Sequence, residues 1–89
     1  PIKSSAASDV YKRQVQDLRD MRRSFSRQEL LDLIDRMFTD ENVALDMDVV
    51  DAAIFRLLLA EGQEPTPDNL QKRFSEVGQY YLRRSLGLL

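Results

Sequence analysis

The chain has 89 residues, 43% hydrophobic and 31% charged, with a formal net charge of −2 and a pI near 5.0. This is the make-up of one small globular domain, neither disordered nor fibrous. Cysteine and histidine are both absent, which excludes disulfides, thiolate and imidazole catalysis and nearly every zinc site.

What remains for chemistry is carboxylates, Lys, Tyr and Ser, so the expectation is a non-enzyme with no cofactor, no metal and no small-molecule substrate. The longest apolar run, residues 52–60, is interrupted by Arg56 and falls short of a membrane span. With no membrane association and no signal peptide in view, the expected location is cytoplasmic.

The opening stretch PIKSSAASDVYKRQ stands apart in composition. Ser4 to Gln14 resembles the translated read-through of a sequencing adapter found at the ends of metagenomic gene fragments. Residues 1–14 are therefore expected to be a non-native scar ahead of a single domain over 15–89, and Lys3, Lys12 and Arg13 are discounted as functional charges. Tyr11, Val15 and Leu18 nevertheless sit at helical spacing, so the scar can extend a real helix.

The first helix is expected over about residues 9–23, with Val15, Leu18 and Met21 on its apolar face. A second opens on a capping box, Ser26 with Glu29, and a staple of Phe25 onto Leu30. Its apolar positions Leu30, Leu31, Leu33, Ile34, Met37 and Phe38 make one wide stripe of helical period. A third, over about 47–61, carries Val49, Val50, Ala53, Ile54, Leu57 and Leu58, widened by Phe55 and Leu59. Gly62 follows where a left-handed C-terminal cap is wanted.

Thr66 as N-cap, Pro67 at the first position and Asp68 in the first turn start a fourth helix, with Leu70 and Phe74 inward. Ser75 to Gly78 reads as a break or loose turn. A fifth helix follows, with Leu82 and Leu86 inward, to about Ser85 or Leu86. No strand-like alternation occurs. The fold class expected is all-α, a small bundle of four to five helices with a helix-turn-helix-like C-terminal pair.

Between the second and third helices, Asp40 to Asp51 has the 12-residue length of a calcium loop. Ala44 and Leu45 replace a ligand and the sharp-turn glycine, and Asp51 is shorter than the bidentate glutamate that position needs. A cap of the third helix by Asp46 or Asp48 explains the acids better.

Charge is unevenly spread. Residues 29–68 hold eleven acids against two bases, whereas residues 69–89 hold four bases against one acid. The basic end, with its tyrosines, supplies the candidate nucleic-acid-binding residues Lys72, Arg73, Gln79, Tyr80, Arg83 and Arg84. Lys72 and Arg73 would hold phosphates, and Gln79, Tyr80, Arg83 and Arg84 would face the major groove. Tyrosine beside arginine is equally a protein-contact signature.

The run VVDAAIFRLLLAEGQEPTPDNLQKRF resembles the DNA-binding region of plasmid KfrA-type proteins across residues 49–74, through Ala53, Leu57, Leu58, Glu61, Gly62, Pro65, Thr66, Leu70 and Phe74. That resemblance implies helix-turn-helix geometry, and the function expected is double-stranded DNA binding of the plasmid or phage regulator type, as a homodimer or with a protein partner because one module this small binds weakly. The alternative is a helical protein-protein interaction module or accessory subunit, which the acidic pI favours.

Overall fold

A computed structural model describes residues 2–89, with side chains from Asp9 onward; Pro1 and the side chains of residues 2–8, Lys3 included, lie outside the described residues. The chain forms four helices and, among the described residues, no strand: α1 (Ile2–Asp20), α2 (Arg27–Thr39), α3 (Met47–Ala60) and α4 (Pro67–Ser85).

Tyr11 and Leu18 of α1 are buried and Val15 packs on the core, at the helical spacing expected. The helix stops earlier than expected, and Met21 lies outside it at φ 54°, 72% exposed. The Met21 amide donates to the Leu18 carbonyl and the Arg22 amide to that of Asp17. That pair of bonds closes a helix end in the way a glycine usually does, here with a methionine in the left-handed region. Turning there brings Phe25 into the core, under the guanidinium groups of Arg23 and Arg56 at 4.0 and 5.6 Å from its ring centroid.

Both arms of the α2 capping box form. Ser26 accepts from the Glu29 amide at 3.1 Å, and the Glu29 carboxylate accepts from the Ser26 amide at 3.0 Å. The Ser26 amide, and then Arg23, hold the Glu29 carboxyl below its ordinary range. Of the six stripe positions, Leu30, Leu33, Ile34 and Met37 are buried, and Leu31 and Phe38 are partly buried against the core.

The acidic connection is organised as caps. Asp40 ends α2 and accepts from the Asn42 amide. Asp46 caps α3, accepting from the amides of Asp48 and Val49, and pairs with Arg19.

α3 is the middle element, in contact with each of the other helices. All six residues of its expected stripe are buried, but Phe55 and Leu59 do not widen that stripe: they are 39% and 53% exposed on the opposite side. Gly62, at φ 76°, ends α3, its amide bonding Leu59 and that of Gln63 bonding Leu58.

Thr66 and Pro67 start α4 as expected, but no turn interrupts it. The fourth and fifth helices are one, and the break at Ser75–Gly78 is not formed. Ser75 and Gly78 cost a helix only about 1 kcal/mol or less each. Leu70, Phe74, Val77 and Tyr81 continue one inward stripe straight across them. The register changes in consequence. Val77 and Tyr81 pack on the core, and Leu82 and Leu86 are 51% and 64% exposed, not inward.

One polar and one aromatic contact tie α4 down. Glu61, 13% exposed at its side chain, receives Arg27 at 2.9 Å and Arg73 at 2.7 Å. Further along, Phe38 and Tyr81 stack at 4.7 Å, nearly parallel. The result is a thin slab of 42 × 36 × 19 Å.

Candidate functional site

A continuous α4 sorts the six candidate residues by angle. At 100° per residue Lys72, Gln79 and Arg83 fall on one outward stripe, and all three are exposed. Neither Lys72 nor Arg83 has a side-chain ion pair among the described residues. Gln79, Tyr80 and Arg83 border a shallow depression of about 330 Å³ beside Glu76.

Arg73 and Arg84 are elsewhere. Arg73 Nη2 meets Glu61 Oε1 and its Nε lies 3.4 Å from Glu76. Arg84 Nη1 lies 3.0 Å from Asp35 Oδ1, which also accepts from the Tyr81 hydroxyl. Both guanidinium groups are held more firmly protonated by these carboxylates, and Glu61 is pushed below the ordinary glutamate range by its bond from Arg73, against desolvation, with help from Arg27. Tyr80 is 47% exposed and meets Tyr81 edge-on at 4.9 Å, above a cleft of about 450 Å³ between α2 and α4.

The six residues expected to act together thus divide. Three form an exposed polar stripe, two are occupied by carboxylates of the same chain, and Tyr80 lies between. Half of the expected positive footprint is neutralised internally, which weakens attraction for a polyanion.

A larger concavity than either of these lies on another face. A groove of about 650 Å³ runs between the end of α1, the outward side of α3 and the first half of α4. Its apolar lining includes Met21, Ala52, Phe55, Leu70 and Phe74, and Asp51 and Arg56 line it too. A smaller depression next to it shares Met21, Phe55 and Arg56 and adds Leu59.

Phe55 and Leu59 were readable in the sequence as apolar positions, but on the wrong side of α3. The clue to the groove was an excess: α3 is apolar around nearly its whole circumference, more than one core face needs.

The fold defines the class as an all-α domain of four helices. No protein-family model, curated protein or solved structure matches the chain. None of its helices, among the described residues, is long and apolar enough to cross a membrane.

Proposed function

We propose that this chain is a helical protein-protein interaction module acting through the groove over α3. The observation that carries this reading is the exposed apolar side of the central helix, where Phe55 and Leu59 line connected depressions with Met21, Leu70 and Phe74. Contiguous exposed apolar surface of this kind marks contact sites, and aromatic and methionine side chains are enriched at their centres. The pairing of Arg73 with Glu61 and of Arg84 with Asp35 supports the same reading, since those arginines serve the fold first.

Photocrosslinking tests it. A benzophenone side chain at position 55, in cells expressing the chain, should trap protein adducts that the same group at position 79 does not. Equal yields from both positions, or none from 55, would sink the reading.

A second reading, DNA binding of the plasmid or phage regulator type, is favoured by one observation: the alignment of Lys72, Gln79 and Arg83 along α4. There α3 and α4 would act as the helix-turn-helix pair across residues 61–66, with α4 in the major groove. Fluorescence anisotropy with mixed duplex DNA at low salt separates the two. The interaction module gives no binding, whereas salt-sensitive binding lost in Lys72→Ala/Arg83→Ala moves the function to DNA.

A further inference from the structure

Resting on the interaction-module reading, we infer that the occupant of the groove is a second copy of this chain, the two α3 helices crossing about a twofold axis at Ala52 and Phe55. The choice of occupant comes from charge. Asp51 is exposed, lines the groove and makes no ion pair or side-chain hydrogen bond among the described residues. Arg56 lines the same groove, and its Nη1 donates to the Arg23 carbonyl at 2.7 Å, yet no carboxylate of the described residues pairs with it.

These two charges lie five residues apart on α3, which places them about 140° apart around the helix, on opposite flanks of Ala52 and Phe55. They cannot meet within one chain. A twofold axis brings the acidic flank of each copy against the basic flank of the other, so Asp51 and Arg56 pair twice across one self-complementary contact. An unrelated partner would have to supply both charges in mirrored positions; a second copy already carries them.

The apolar part of the contact fits the same axis. Ala52 is the small residue that lets two helix backbones approach, and Phe55 enters the other copy's groove beside Leu70 and Phe74. Met21 stands at the rim, held there by its left-handed backbone. Covering Phe55 and Leu59 in this way gives α3 the all-round burial that its composition calls for.

Sedimentation equilibrium of the full chain tests this, with circular dichroism confirming that each variant remains helical. The parent should dimerise as its concentration rises. Asp51→Arg alone and Arg56→Asp alone should each weaken self-association by about tenfold or more, because like charges then face one another twice. An equimolar mixture of the two variants should recover association, since one copy then offers two cations and the other two anions. Should Arg56→Asp fail to fold, Phe55→Asp takes its place, and dimerisation must be lost in it and in Asp51→Arg.

A parent monomeric at every concentration, a dimer indifferent to Asp51→Arg, or single variants that do not recover on mixing would overturn the inference. The wider reading fails separately. A monomer whose position 55 still traps other proteins keeps the interaction module with a different occupant, whereas a monomer with no adducts from position 55 ends both.

Discussion

The Tyr81 hydroxyl donates to Asp35 Oδ1 at 2.9 Å, so the last third of α4 is fastened to the middle of α2 by a side chain half-buried against Phe38. Removing that hydroxyl in Tyr81→Phe should cost about 0.5–1.5 kcal/mol, the net worth of one such bond. Truncating Arg84, which reaches the same oxygen from a more exposed and more solvent-screened position, should cost less. Urea midpoints of the two variants rank the contacts, and a Tyr81→Phe chain as stable as its parent would show the bond to be idle. Burial first, and then the bond to Asp35, raise the Tyr81 phenol above the ordinary 10.0. The sign follows: its contribution is intact below pH 10 and declines as the pH climbs beyond it.

Glu61 joins three helices, since Arg27 comes from the start of α2, Glu61 itself caps α3 and Arg73 belongs to α4. Glu61→Gln should destabilise the domain by about 1–3 kcal/mol at neutral pH, because a charge-assisted network loses its charge. As the carboxyl is lowered in the folded chain, its stabilisation is complete above the ordinary value of 4.5 and is lost as the pH falls through the lowered one. Parent and variant should therefore converge in acid, and denaturation at pH 7 and pH 3 makes the comparison.

Gly78 sits inside α4, and a Cβ placed there would meet nothing within 4 Å. Gly78→Ala should accordingly stabilise the domain by about 0.5–1 kcal/mol, through helix propensity and a less free unfolded chain. A loss of stability in a thermal melt would mean that residues 75–78 do turn, as the sequence had suggested.

Met21→Gly should raise monomer stability by about 1 kcal/mol, by relieving a left-handed methionine that is mostly exposed. The same change removes an apolar group from the groove rim, so self-association should weaken while the melting temperature at low concentration rises. A variant that gains in both respects would place Met21 outside the contact.

What could be read in advance was local. Ser26 with Glu29, Gly62 after α3, and Thr66 with Pro67 each act within one helical turn of themselves, and each does in the structure what its residue type dictates. The buried stripe of α3 was equally plain, because its six positions repeat at one period. The failures came from competition over distance. Ser75 and Gly78 are weak breakers, and burial of Val77 and Tyr81 outweighs them. Once α4 is continuous its register shifts, and Leu82 moves from the expected core to the surface.

Among the candidate site residues Lys72, Gln79 and Arg83 share an outward stripe of α4, a grouping that the expected division into two helices did not give. Arg84 does not join it, because Asp35, 49 residues upstream, claims its guanidinium. The apolar excess of α3 hinted at a second covered face, but the lining of the groove was not legible, for a related reason. Met21, Phe55, Leu70 and Phe74 belong to three different parts of the chain, and no single periodicity unites them.

The central position of α3 also sets how the molecule comes apart. α1, α2 and α4 each lean on it, so either end of the chain can detach in a partial opening while α3 keeps at least one neighbour. Amide protons of α3 should then be the last to exchange with solvent, and those at the far ends of α1 and α4 the first. A surface carried on the slowest-opening helix stays assembled when the periphery frays, which keeps Ala52, Phe55 and Leu59 in register for whatever they meet.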